Sequence, residues 1–261
     1  MTGTQISLGR LFQPGSGRSF ITAYDHGTNL KVPAASGKPL DVLAKIVEGG
    51  PDGVLLAPGM LRAGAELFAH RGAPVPVLRA DWTVINDDWK RDSGEHYKVM
   101  LSPSDAHAMG AGAIVMYLIL GPAEGTTFAD NVQQVARAAV EAHRVGMPLI
   151  VEATLWGTRH TDKHNAEALQ HGCRMAYELG ADAIKTEYTG DPATMREIID
   201  SVAIPVLTLG GAEGARDDVI RSAQGAIEAG ARGLIFGRNV WNTPDPVAAT
   251  RDLVQIVHGE Q

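Results

Sequence analysis

The sequence predicts a single (β/α)8 barrel, and three observations carry that expectation. From residue 20 onward, eight short β-rich apolar runs alternate with longer segments of helical period. Gly, Pro or Asp punctuates each unit, and no Gly-rich dinucleotide loop follows the first run. Eight regular units favour closure over an open doubly wound sheet, and 261 residues is a length that one barrel fills.

The expected strands are residues 20–25, 53–57, 75–81, 113–120, 149–154, 183–187, 206–209 and 233–236, each a short run bounded by turn residues. Helical spacing of apolar residues marks segments 41–47, 131–144, 166–179, 194–202 and 217–229. Gly110, Gly146, Gly180 and Gly230 each precede a strand, where a glycine suits the left-handed cap of the helix before it. The long irregular insertion at 83–101 follows the third strand and is expected to lie over the barrel mouth as a lid.

A net charge of -7 with no basic stripe argues against a nucleic-acid partner. No apolar run approaches the roughly 20 residues that span a bilayer, and the first residues lack the pattern of a secretory signal. A cytoplasmic location is the expectation, and the single cysteine agrees with it. That residue, Cys173, lies in a helical pattern among Ala, Met and Leu and reads as an inert buried thiol.

Active sites of such barrels form at the carboxyl ends of the strands, so polar residues closing an apolar strand are candidates. Lys185 interrupts Ala-Asp-Ala-Ile-Lys-Thr-Glu-Tyr, where an ammonium is costly to desolvate. A desolvated lysine can become a neutral amine that attacks a carbonyl carbon, although pairing with Asp25 or Glu152 would equally explain it as a structural residue. Asp25, His26 and Gly27 follow the first strand, where a carboxylate can orient a hydroxyl or move a proton. Glu152 and Thr154 share one face of the fifth strand, as Lys185 and Glu187 share one face of the sixth. Asp81 and Tyr117 are further polar candidates for substrate contact. Gly210 and Gly211 after strand seven, with Gly237 and Arg238 after strand eight, stand where barrels bind phosphate through backbone amides. His160 and His164 have helical spacing but no intervening Glu, so no metal ligand is assigned.

The segments 24–27, 181–191, 209–211 and 237–241 together resemble the archaeal-type class I fructose-bisphosphate aldolase family, which includes a thiolase acting on a phosphorylated autoinducer-2 derivative. The resemblance implies a barrel in which Lys185 forms an imine with a keto substrate, with no cofactor. It also implies that Asp25 contacts substrate hydroxyls and that phosphate sits near Gly210, Gly211, Gly237 and Arg238.

Two departures stand out. Glu152 and Thr154 occupy positions where the fructose-bisphosphate aldolases carry Trp and Tyr, and an aliphatic hydroxyl is too weak an acid to replace the phenol. Glu152, Glu187, Asp25 and Tyr117 are the candidates for its proton-transfer role. Glu213 stands where relatives often place Lys, and an acid there repels a phosphate.

The expected function is therefore a class I aldolase acting on a ketose, whose phosphorylation is implied by the resemblance. An acyl transferase using the same lysine on a phosphorylated diketone is one alternative, and a non-covalent phosphosugar isomerase or binding barrel is the other. Trp156 and Phe68, outside the barrel pattern, suit the interface of a homo-oligomer.

Overall fold

The computed structural model describes residues 2–30, 32, 37–84 and 87–259. In chain order the elements are α1 (Thr2–Gly9), β1 (Ser19–Tyr24), α2 (Pro39–Glu48), β2 (Gly53–Leu56), α3 (Pro58–Ala63), β3 (Val75–Arg79) and β4 (Asp81–Thr83). There follow α4 (Asp87–Ser93), β5 (Tyr97–Val99), α5 (Pro103–Ala108), β6 (Ala113–Ile119), α6 (Gly125–Arg144), β7 (Leu149–Thr154), α7 (Ala166–Glu178) and β8 (Ala183–Glu187). The chain ends with α8 (Pro192–Asp200), β9 (Val206–Leu209), α9 (Arg216–Glu228), β10 (Gly233–Phe236), α10 (Arg238–Trp241) and α11 (Pro246–His258).

Eight parallel strands close in the order β1-β10-β9-β8-β7-β6-β3-β2, the (β/α)8 barrel that the alternation predicts. Alternate residues point inward, and Ile21, Leu55, Val77, Val115, Ile150 and Ile235 fill the amino-terminal half of the interior. Leu11 follows α1 and closes that end, fully buried against the same cluster. Helix α1 has no strong helical signal in Thr-Gly-Thr-Gln, and the sequence reading did not anticipate it. Gly3 packs against Gly146 at this end of the molecule, where a Cβ on either would lie 3.2 Å from the other's Cα.

The outward faces of the strands pack against the helices, which are amphipathic: Val135, Ala138, Ala139 and Ala142 form the buried stripe of α6. Side chains of Ser102, Asn165, Asp191 and Asp245 cap α5, α7, α8 and α11, each accepting a backbone N–H of the first turn. Helix α6 begins six residues before the expected start at 131, an extension the sequence hides because Gly125, Thr126 and Thr127 carry little helical propensity of their own.

The third barrel strand ends at Arg79, and Asp81 instead opens β4, which pairs antiparallel with β5. This ribbon and α4 make up the insertion expected at 83–101, of which residues 85 and 86 lie outside the described ones. Trp82 donates its indole N–H to Thr28 O (2.9 Å), and Lys90 Nζ donates to Trp156 O (2.8 Å). Glu95 accepts the Thr158 N–H (2.8 Å) and the Ala123 N–H. The insertion is thus tied to the loops after β1, β6 and β7, all at the carboxyl end of the barrel. Among the described residues no helix is long and apolar enough to cross a membrane.

Candidate active site

Strand register assembles the centre of the site. Tyr117 on β6 lies beside Glu152 on β7, which lies beside Lys185 on β8, a row of three polar side chains at one level of an otherwise apolar interior. Lys185 Nζ stands 2.8 Å from Glu152 Oε1. The neighbouring carboxylate is therefore Glu152, one of the two partners that the sequence reading considered for Lys185. The other, Asp25, accepts a hydrogen bond from Arg79 Nε at 2.8 Å.

Arg79 is fully buried and organises the rest. Its Nη2 donates to Glu152 Oε2 (2.5 Å), and its guanidinium carbon lies 3.8 Å from the centre of the Tyr117 ring. Burial works to raise the Asp25 carboxyl, but Arg79, His26 and Lys185 together hold it below its ordinary value. The Tyr117 hydroxyl accepts from Asn29 Nδ2 (2.9 Å), and burial raises the phenol well above its ordinary value, so it remains a neutral donor. Burial lowers His26 to about 4, and its neutral ring packs at a tilt against Trp241, ring centres 5.4 Å apart.

These groups line one cavity with Gly210, Gly211, Gly237 and Arg238. Glycine is required at Gly237, where a Cβ would lie 2.2 Å from His26 Cε1 and 2.8 Å from Ala23 O. Gly211 takes a positive φ of 65°, and Arg238 Nη2 donates to its carbonyl at 2.9 Å. Asn239 anchors the same turn by donating to Gly210 O (2.7 Å) and accepting from Gly214 N (3.1 Å). Glu213, the acid at odds with phosphate, accepts a hydrogen bond from Asn242 Nδ2 at 2.7 Å.

Among the described residues, four that line this cavity carry a buried polar atom without a hydrogen-bond partner: His26 Nδ1, Asn29 Oδ1, Arg79 Nη1 and Arg238 Nε. Buried polar groups left this way are costly unless something else satisfies them, which is the property of a ligand site.

Three expected site residues are placed elsewhere. Thr154 Oγ1 donates to Glu187 Oε1 (2.6 Å), and neither of these buried side chains lines the cavity. Burial pushes Glu187 up to about 7, with Thr154 offsetting part of the effect. Asp81 is also away from the cavity wall, buried behind Arg79, with one oxygen accepting the Tyr117 N–H at 2.7 Å. Trp156, expected at an interface, instead lines the cavity and stacks on Tyr117 at 5.3 Å.

Burial pushes Asp81 up to about 7, Arg79 and the Tyr117 N–H opposing it. The fold prefers the protonated form, so this contribution is complete below the ordinary carboxylate range and is lost as pH rises through about 7. Asp81→Asn removes the titration. In urea melts the variant is expected to gain roughly 2–3 kcal/mol on the parent between pH 5 and pH 8. An unchanged difference across that interval would refute a neutral Asp81.

Sequence reasoning missed Arg79, Asn29 and the cavity role of Trp156. Arg79 had the same signal as Lys185, a cation inside the apolar run Val-Pro-Val-Leu-Arg-Ala. Asn29 had none, since an Asn in a turn is ordinary.

A closed barrel with a buried amine at the carboxyl end of a strand, flanked by a carboxylate, is the arrangement of an imine-forming, class I aldolase. Residues 19–243 match the DeoC/LacD family aldolase profile. The chain is 30% identical to an uncharacterized aldolase of Saccharolobus solfataricus, across 99% of this chain and 95% of that protein. It is 32% identical to the class 1 fructose-bisphosphate aldolase of Thermoproteus tenax, across 93% of this chain and 90% of that one. The crystal structure of an archaeal fructose-1,6-bisphosphate aldolase, with its catalytic Lys covalently bound to the carbinolamine intermediate of the substrate, superposes with a TM-score of 0.82 at 27% identity, covering 98% of this chain and all of the other. The protein belongs to the DeoC/LacD aldolase family and is a carbon–carbon lyase of the class I, Schiff-base type.

Proposed function

We propose that this aldolase cleaves or forms a carbon–carbon bond in a phosphorylated ketose, with Lys185 as the imine-forming residue. The observation that carries the reading is the Glu152 oxygen 2.8 Å from Lys185 Nζ, inside a cavity edged by unpartnered polar atoms. The Lys185 amine adds to the substrate ketone, and the carbinolamine loses its oxygen as water to give an iminium ion. A base then removes the proton of the substrate hydroxyl two carbons away from the iminium carbon. The electron pair of the broken carbon–carbon bond flows into the iminium as the aldehyde leaves, forming an enamine. Protonation of the enamine carbon and hydrolysis return the amine and the second carbonyl product.

Glu152 is the group assigned to these proton transfers, because it reaches the amine and Thr154 does not line the cavity. Asp25 and the neutral Tyr117 hydroxyl are assigned to substrate hydroxyls. Gly210, Gly211 and Gly237 expose backbone at the cavity rim, where Arg238 adds the cation that suits a phosphate. The cavity measures about 60 Å3, smaller than a ketose phosphate needs. The 83–101 insertion, tied to the loops at the carboxyl end of the barrel, is assigned the role of a lid that lifts for entry, on a single catalytic domain. A homo-oligomer in the cytoplasm completes the reading; exposed Trp89, Met100 and Val140 support the assembly.

Borohydride reduction in the presence of ketose phosphates and dihydroxyacetone phosphate, followed by intact mass and peptide mapping, tests the function. An adduct on Lys185 is the expected result. A ligand that binds and turns over with no adduct overturns the imine reading in favour of non-covalent chemistry.

A further inference from the structure

The interior of a barrel at this depth is ordinarily filled by branched apolar side chains, and a buried guanidinium among carboxylates is costly to desolvate. Arg79 nevertheless joins four strands. From β3 it reaches Asp25 at the end of β1 (Nε–Oδ2, 2.8 Å), Glu152 on β7 (Nη2–Oε2, 2.5 Å) and the face of Tyr117 on β6 (3.8 Å). Asp81, at the start of β4, lies 3.6 Å from Nη1. By occupying Oε2 of Glu152, Arg79 leaves Oε1 as the oxygen that faces Lys185 at 2.8 Å. A planar fork holds two carboxylates in fixed relative positions, which the single nitrogen of a lysine does not do.

We infer that Arg79 is a positioning residue for the aldol reaction, aiming Glu152 at the Lys185 amine while holding Asp25 in the cavity wall. The inference rests on the imine reading above and adds to it a residue whose part is to orient Glu152 and Asp25 and not to react. It acts through Glu152, so its loss slows proton transfer and leaves the rim that binds the distal end of the substrate in place. Misplacement of a reacting group by about an ångström costs on the order of 10²-fold in rate.

The test is a double-mutant cycle of Arg79→Lys with Glu152→Gln, read as kcat, KM and the rate of borohydride-trapped adduct. The lysine variant keeps the charge and loses the fork. It is expected to lower kcat by about 10²-fold with KM changed less than about fivefold, and to slow adduct formation by the same factor as kcat. In the Glu152→Gln background the same substitution is expected to cost little further, because the group it positions is already disabled. Unchanged kcat in Arg79→Lys, or losses that multiply in the double variant, overturn the positioning role. If Arg79→Lys does not fold by near-ultraviolet circular dichroism, Arg79→Gln, which keeps a two-donor amide, takes its place in the cycle. Failure of the imine reading is separately visible, since the wild-type protein would then give no adduct at all.

Discussion

Replacing Lys185 with methionine is expected to eliminate the borohydride-trapped adduct and to lower kcat/KM by about 10⁴-fold or more, the scale on which enzymes lose activity when a covalent nucleophile is removed. Methionine fills nearly the same volume in a site that is almost fully enclosed, so the barrel interior keeps its packing. Glu152 loses one contact but keeps Arg79 Nη2 on its other oxygen. The loss is thus expected in chemistry more than in fold. Circular dichroism and a melting curve close to the parent's, alongside absent turnover, check both halves. Activity retained within tenfold removes Lys185 from the mechanism.

Glu152→Gln is expected to have the second largest effect, a fall in kcat of about 10²–10⁴-fold, the range for a positioned acid–base group. The amide preserves shape but can neither take a proton from the substrate hydroxyl nor return one to the enamine. It also gives Arg79 Nη2 a neutral acceptor in place of a carboxylate, and it leaves Asp25 as the charged partner of the guanidinium. KM is expected to move little because the rim at Gly210, Gly211, Gly237 and Arg238, proposed to hold phosphate, is untouched. Adduct at Lys185 should still accumulate, more slowly, which separates this variant from Lys185→Met. Equal kcat in Glu152→Gln and the parent assigns the proton to a different group, with Tyr117 and Asp25 next in line by their place in the cavity wall.

The combined expectations describe a site in which the nucleophile is conventional for its class and the proton machinery is not. The resemblance sets Glu152 and Thr154 against a Trp and a Tyr of the aldolases, and the structure divides the two: Glu152 joins the cavity while Thr154 turns to Glu187. A carboxylate reaches the amine directly from the adjacent strand, with a buried arginine behind it.

The eight strands were legible because each is a short apolar run broken by turn residues, and seven of the eight begin where the pattern places them. Lys185 was legible because charge is rare inside such a run. Arg79 carried the same signal and was passed over, whereas α1 carried almost none, its helix being held by contact with the barrel's amino-terminal end. The positions of Thr154 and Glu187 were misread for a shared reason. Alternation along a strand says which face a residue occupies, but not whether that face at that level opens into a cavity or is covered by the next layer.

By itself the sequence determined the strand periodicity, the closed alternating architecture and the identity of the one amine set within an apolar strand, since these depend on local pattern and desolvation cost. Only the tertiary structure decided which carboxylate meets that amine, because the pairing of Glu152 with Lys185 depends on the register between β7 and β8 and on a guanidinium arriving from β3. Register and interior crowding are properties of the closed barrel, and distances between residues 79, 152 and 185 have no counterpart in the spacing of the chain.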